Sequence, residues 1–182
     1  NLISLGNFLN KYCKEFSFVH VLPFFPYSSD DGFAVKDFKK VNSEHGDWDD
    51  FKKISSSFKT MIDLVINHCS SENRLFKDFL NGSSLVSDFF IVSNEKFKES
   101  EKIVRPRSSD ISKKINLNGK TKYVWCTFSH DQVDFNFKNP EVLIYLIEIM
   151  KFYLDKNVKA LRLDAVAFIW KQLGSSCINL PQ

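Results

Sequence analysis

Three short apolar segments, each the length of a buried strand, alternate along the chain with segments of helical character. The strand-like segments are residues 18–22, 61–67 and 158–166. The helical ones are residues 2–16, residues 47–54 with Asp47 as N-cap, and a segment opening at Asn139-Pro140-Glu141. Such alternation is typical of βαβ units, so the sequence predicts an α/β fold with a parallel sheet. Periodicity leaves open whether this sheet is open or closed into a barrel.

The helix that opens at Asn139 is predicted to end at Asn157, because asparagine tolerates the left-handed conformation that stops a helix. Apolar residues at helical spacing predict its buried stripe, which comprises Leu143, Leu146, Ile147, Met150 and Leu154. After the third strand, residues 168–173 are a candidate for the start of another helix.

A long segment from Cys69 to about Phe128 has no strong period and is punctuated by Gly82, Pro106 and Gly119. An excursion of this length in a compact domain is usually functional or forms a small subdomain. We therefore predict three parts: residues 1–68, an inserted irregular segment at 69–128, and a continuation of the first part at 129–182.

Charge and cysteine content exclude several classes of protein. The 25 basic residues are scattered among 22 acidic ones, whereas nucleic-acid binders concentrate basic residues on one patch, so no nucleic-acid partner is expected. The four cysteines lie far apart without Cys-x-x-Cys or Cys/His spacing, which favours free thiols over disulfides or a zinc site. No apolar run approaches the roughly 20 residues that span a bilayer, so no membrane partner is expected.

Two polar features interrupt the apolar strands. Period-two geometry puts Arg162 and Asp164 on one face of the third strand, where a charged pair is unfavourable unless it is paired or functional. His68 ends the second strand, directly after Asn67. From these residues alone, a structural Arg–Asp ion pair is as good an interpretation as a functional one, and a lone histidine at a strand end is more often structural.

Three short sequences around these residues resemble signatures of the α-amylase superfamily, glycoside hydrolase family 13, in that family's order. They are residues 63–68 (Asp-Leu-Val-Ile-Asn-His), 132–136 (Gln-Val-Asp-Phe-Asn) and 161–165 (Leu-Arg-Leu-Asp-Ala). The segment between the first two has the length of the family's inserted domain. The loop at residues 22–33 and shorter segments such as Arg105-Pro106-Arg107 are most similar to those of the sucrose phosphorylase group, including its glucosylglycerate-using relatives.

The resemblance implies part of a (β/α)₈ barrel, about strands 2 to 4, with site residues at the C-terminal strand ends. Asp164 matches the nucleophile, and Arg162 matches the residue that positions it. His68 and Asp30 match residues that hold the glucosyl ring, and Phe33 matches a residue that shapes the acceptor side.

Other matched positions imply architecture rather than chemistry. Asp63 and Asp134 match architectural positions of the family, and Asn67 matches a calcium ligand of many amylases. Because the phosphorylase group does not generally need that ion, we expect no metal and no cofactor.

The implied activity is α-retaining transfer of a glucosyl group from sucrose or a related α-glucoside to phosphate, by double displacement. We expect Arg162 to lower the pKa of Asp164, and we expect a cytoplasmic location from the phosphate co-substrate and the free thiols. The alternatives are a sucrose-type hydrolase or transglucosylase of the same superfamily, and a non-catalytic fragment with at most weak sugar binding. The family's acid/base Glu would follow Gln182, so we expect the chain by itself to be inactive.

Overall fold

The structure is a computed structural model, which describes residues 1–98 and 102–180. Residues 99–101, inside the predicted insertion, and 181–182, at the end of the predicted continuation, lie outside the described residues. The helices are α1 (Leu2–Tyr12), α2 (Trp48–Ser57), α3 (Arg74–Leu80) and α4 (Pro140–Asp155). The strands are β1 (Phe18–Val21), β2 (Lys59–Val65), β3 (His68–Ser70), β4 (Val92–Ser93), β5 (Ser112–Leu117), β6 (Lys120–Trp125), β7 (Gln132–Asp134) and β8 (Ala160–Asp164).

A parallel sheet of three strands in the order β1-β2-β8 forms the centre of the fold. Phe18 pairs with Lys59 at one end, and Asp63 pairs with Arg162 near the other. Helix α2 packs on β2 and on α1, so it covers one face of the sheet. Each strand joins a parallel neighbour through a helical crossover, which confirms the predicted α/β class and the portion of a barrel.

The predicted helix boundaries depend on capping residues, and most of them are confirmed. The side chain of Asp47 accepts from the Asp50 amide at α2, and Asn139 accepts from the Glu141 amide at α4, with Pro140 in its first turn. Asn157 has a φ of 66° and donates through Nδ2 to the Ser55 carbonyl oxygen at 2.9 Å. Helix α1 is shorter than predicted, since Cys13 leaves helical geometry with a φ of −123°.

The predicted buried stripe of α4 is wrong in most positions. Leu143, Ile147 and Leu154 are exposed, and the buried face instead consists of Val142, Leu146, Ile149 and Tyr153. Tyr153 determines this orientation, because its ring stacks on Phe25 at 5.3 Å and its hydroxyl donates to the Phe38 carbonyl oxygen at 2.7 Å. Nearly every position of α4 is apolar, so two faces satisfy the same helical spacing and periodicity does not select between them.

The chain after β8 also differs from its prediction. Ala165 is left-handed with a φ of 57°, which ends β8, and only a short 3₁₀ turn at Val166–Phe168 follows in place of a helix. Among the described residues, no helix has the length and apolar character needed to cross a membrane.

The insertion contains more regular structure than its weak periodicity indicates. It holds α3 and an antiparallel sheet in the order β4-β6-β5, in which Ser112 pairs with Trp125. Strands β3 and β7 pair antiparallel where the insertion leaves and rejoins the barrel portion, with His68 opposite Asp134. Lysine and asparagine occupy most outward positions of β5 and the adjoining turn, so apolar residues are too few to produce a visible alternation.

Candidate functional site

The residues predicted to carry chemistry meet where the parallel strands end. Asp164 is the last residue of β8, His68 follows β2, and Asp30 lies in the loop after β1. The Gln132 amide donates to Asp30 Oδ2 at 3.0 Å and contacts His68 Nε2 at 3.1 Å, so the Gln132 side chain bridges Asp30 and His68. Asp30 lies close enough to Asp164 and His68 to act electrostatically on both. Carboxyl ends of barrel strands are where such sites form.

A line of polar and charged side chains crosses the parallel sheet beneath Asp164. His20 Nε2 on β1 lies 2.9 Å from Asp63 Oδ2 on β2, and Asp63 Oδ1 accepts from Arg162 NH1 on β8 at 2.5 Å. Arg162 NH1 also donates to Asp164 Oδ1 at 3.0 Å. The side chain of Asp63 is fully buried, so these partners are what make its charge tolerable there. The ion pair between Arg162 and Asp164 that was considered from the sequence is therefore present. Asp164 is the last residue of this line of contacts.

The electrostatic environment of Asp164 differs from the expectation. Burial raises the pKa of Asp164 above its ordinary value, while the Arg162 guanidinium opposes the increase through its charge and hydrogen bond. The negative charges of Asp63 and Asp30 raise this pKa further. Arg162 thus acts on the pKa of Asp164 in the expected direction, but burial and two other carboxylates outweigh its effect. The side chain remains 19% exposed, which leaves the carboxylate open to a ligand.

His68 is enclosed and uncharged. It is 1% exposed, its Nδ1 lies 3.2 Å from Asn67 Nδ2, and its ring centroid lies 5.0 Å from that of Phe128. Burial lowers the pKa of His68 to about 4, although Asp134 acts in the opposite direction. A neutral imidazole can accept from the Gln132 amide, so the low pKa and the observed contact agree.

The loop that carries Asp30 has a demanding backbone conformation. Asp30 and Asp31 have φ values of 58° and 50°, which are uncommon for residues with a side chain. Gly32 has a φ of 106°, and a Cβ atom there would lie 2.9 Å from Pro23 Cβ, so this position requires glycine. Phe33 packs half-buried against the core, and its backbone hydrogen-bonds His68. Asp30 Oδ1 also accepts from Arg107 NH2 at 3.1 Å, a contact that the sequence did not predict.

A buried ammonium group lies behind His68. Lys171 Nζ is 2.6 Å from Asp134 Oδ2 and donates to Asn67 Oδ1 at 2.5 Å, and it also donates to the Phe168 carbonyl oxygen. Asp134 accepts further from the Thr127 amide at 2.9 Å. Burial lowers the pKa of Lys171, but Asp134 opposes that effect.

The contacts of Asn67 with this ammonium group show whether Asn67 could serve as a calcium ligand. Its side-chain oxygen and the Asp134 carboxylate both face a lysine ammonium, so a positive charge already balances them. The residues present therefore do not fit a calcium ion at Asn67. Within the described residues, no group of three or more His, Cys, Asp or Glu is arranged to hold a metal. The only sequence signal for Lys171 was a lone charge in the apolar run at residues 165–173.

The burial of His68 predicts a pH-dependent stability. Since the folded protein lowers the pKa of His68 from 6.5 to about 4, folding opposes its protonation. The stabilisation is complete above pH 6.5 and is lost as the pH falls from 6.5 towards 4, by at most about 3 kcal/mol. Urea unfolding at pH 7 and pH 4.5 measures this loss.

Two variants isolate the contribution of His68. His68→Gln should flatten the difference in unfolding free energy between the two pH values. His130→Gln, at an exposed histidine, should leave the difference as it is in the parent. An unchanged pH dependence in His68→Gln would show that other groups produce it.

The chain is similar in sequence and in fold to known phosphorylases. The chain is 45% identical over its full length to a glucosylglycerate phosphorylase of Spirochaeta thermophila and covers 31% of that protein. It is 40% identical to the glucosylglycerate phosphorylase of Escherichia coli, again over its full length and 33% of that protein. The crystal structure of sucrose 6F-phosphate phosphorylase from Thermoanaerobacter thermosaccharolyticum superposes with a TM-score of 0.91 and 32% identity, over 99% of this chain and 40% of that one. The chain thus spans about a third of the length of the curated relatives that it matches.

The α-amylase catalytic domain family matches residues 11–181, which include the three signature sequences and every candidate site residue. The chain belongs to the α-amylase catalytic domain family.

Proposed function

We propose that this chain carries the nucleophile and most of the donor subsite of a retaining, glucosyl-transferring phosphorylase. The observation that supports this most strongly is the position of the Asp164 carboxylate. It lies partly exposed at a strand end, bonded to Arg162, and within electrostatic reach of Asp30. A carboxylate nucleophile needs this combination of access, ionisation and fixed direction.

In the proposed mechanism Asp164 attacks the anomeric carbon of an α-glucoside and forms a covalent glucosyl-enzyme. Arg162 holds the attacking oxygen in place and opposes the pKa increase that burial imposes on Asp164. Phosphate then attacks the same carbon from the face opposite Asp164, which the first leaving group has vacated, and the bond to Asp164 breaks to release its carboxylate. The product is α-glucose 1-phosphate with retained configuration.

His68 and Asp30 are proposed to hold the sugar ring. His68 is confined by Asn67, Gln132 and Phe128, so its ring has a fixed orientation at this strand end. The Asp30 carboxylate already accepts hydrogen bonds from Gln132 and Arg107, and sugar hydroxyls are donors of the same kind. Hydrogen bonds to ring hydroxyls strengthen as charge develops in the transition state. Phe33, beside His68, is proposed to shape the acceptor side.

Glucosylglycerate is the proposed first donor to test, with sucrose as the second. Three relatives that are 40–45% identical are glucosylglycerate phosphorylases, whereas the sucrose phosphorylases found are 29–33% identical. The proposed partners are thus an α-glucoside and inorganic phosphate, without metal or cofactor. Phosphate as co-substrate supports a cytoplasmic location as part of the same proposal.

A retaining mechanism also needs an acid/base carboxyl about 5 Å from the nucleophile. Asp63 and Asp30 are the carboxylates that raise the pKa of Asp164, but Asp63 is buried against Arg162 and His20, and Asp30 binds Arg107 and Gln132. We therefore propose that the acid/base lies outside these 182 residues.

This proposal predicts that the isolated chain does not catalyse phosphorolysis. Purified chain with glucosylglycerate or sucrose and phosphate should release no glucose 1-phosphate above a buffer blank, because the leaving oxygen cannot be protonated. Turnover from a clean sample would mean that an acid/base exists among these residues.

The nucleophile is tested in a full-length enzyme that carries this chain. That enzyme is expressed from its own reading frame, or as a chimera in which the chain replaces the matching third of the S. thermophila relative. Asp164→Asn keeps the shape of the side chain but removes its charge, so kcat should fall by several orders of magnitude while the thermal unfolding midpoint is kept. Glucose 1-phosphate release measures kcat.

Asp155→Asn is the matched control, since Asp155 is exposed at the end of α4. It should retain the parental rate. If Asp164→Asn kept a tenth of parental activity, Asp164 would not be the nucleophile.

A further inference from the structure

The carboxylate of Asp131 joins three serine hydroxyls that come from two different loops. Ser28 and Ser29 donate to Asp131 Oδ2 at 2.5 and 2.6 Å, and Ser71 donates to Oδ1 at 2.8 Å. Ser28 and Ser29 belong to the loop after β1, directly before Asp30, while Ser71 follows β3. None of the three family-like sequences contains Asp131, and no role for it followed from the sequence.

The backbone around Asp131 holds this carboxylate in place. The Ser71 amide donates to the Asp131 carbonyl oxygen at 2.7 Å, and the Asp131 amide donates to Ser129 Oγ at 3.3 Å. Burial alone would raise the pKa of Asp131, but the hydrogen bonds from the three serines outweigh it, and the pKa lies below its ordinary value. The group is therefore an anion at neutral pH, and hydrogen bonds to an anion are stronger than those between neutral groups.

The loop that Asp131 holds is one that needs external support. Asp30 and Asp31 both have left-handed backbone conformations, which persist only where surrounding contacts determine them. Asp131 supplies contacts to the two residues just before this turn, and its chain neighbour Gln132 supplies one to Asp30 itself. The dipeptide Asp131-Gln132 at the start of β7 thus contacts both the loop and the Asp30 carboxylate.

We propose that Asp131 is a positioning residue, which holds the Ser28–Ser29 segment so that Asp30 faces the glucosyl ring. It acts through Asp30 and does not itself touch the sugar. This inference rests on the proposed function, because it assumes that Asp30 binds the glucosyl donor.

The test is a double-mutant cycle on donor binding. The background is the full-length Asp164→Asn enzyme, which should bind the donor without turning it over, and the readout is the dissociation constant for glucosylglycerate by calorimetry. Asp131→Asn should weaken binding at least about tenfold, because one hydrogen bond to a charged acceptor contributes about one decade or more. Asp30→Ala should weaken binding as well. Adding Asp131→Asn to Asp30→Ala should have almost no further effect, since the residue it positions is gone.

Serine variants separate the loop contact from the rest of the cluster. Ser28→Ala with Ser29→Ala should reproduce the loss seen in Asp131→Asn, and this pair replaces Asp131→Asn if the latter has lost the parental circular dichroism spectrum. Ser71→Ala removes a hydrogen bond from the same carboxylate but none from the loop, so it should change binding less than about twofold.

The outcomes separate the two proposals. A full-length enzyme that forms no glucose 1-phosphate from any α-glucoside contradicts the proposed function. With an active parent, two results contradict only the positioning role of Asp131. One is that the effects of Asp131→Asn and Asp30→Ala on donor binding simply add. The other is that Ser71→Ala weakens binding as much as Ser28→Ala with Ser29→Ala.

Discussion

Asp63 is a fully buried carboxylate in the middle strand of the parallel sheet, and its two partners come from the strands on either side. His20 contacts it from β1 and Arg162 contacts it from β8. An unpaired charge at this depth would destabilise the fold by several kcal/mol, about the scale of a domain's whole stability. A slip of either neighbour by one residue would turn its partner to the other face of the sheet. The need to pair Asp63 therefore fixes the register of three strands at once.

That register determines where Asp164 lies. Arg162 is placed by Asp63, and Asp164 follows two residues later on the same face, so the guanidinium that neutralises the buried acid also contacts the partly exposed one. A second buried ion pair, Lys171 with Asp134, fixes the end of β7 in a similar way. Through Asn67, which contacts Lys171, Asp134 and His68, it joins the end of β7 to the end of β2. The two ion pairs thus hold in place the strand ends that carry His68 and Asp164.

Features that depend on local chemistry were predictable from the sequence, and features that depend on packing were not. Asp47 and Asn139 cap their own helices, and Asn157 takes the left-handed conformation after α4, each as predicted. The convergence of Asp30, His68 and Asp164 followed from a resemblance, since no local pattern links positions so far apart.

The buried face of α4 could not be predicted from its own sequence, because contacts with Phe25 and Phe38, more than a hundred residues away, determine it. The contacts of Lys171 and Asp131 could not be predicted for the same reason, because their partners are distant in sequence. The pKa of Asp164 depends on burial and on Asp30, and neither quantity can be read from a strand pattern.

The central claim is that Asp164 becomes covalently glucosylated, and trapping that intermediate tests it most directly. A fluorinated glucosyl fluoride forms the glucosyl-enzyme from a reactive leaving group but slows its breakdown, so the adduct accumulates. The full-length enzyme that carries this chain should gain the mass of one fluoroglucosyl group, and peptide mapping should locate it on the segment that contains Asp164. An enzyme that turns over normal donor but carries the label on another residue, or on none, would contradict the account.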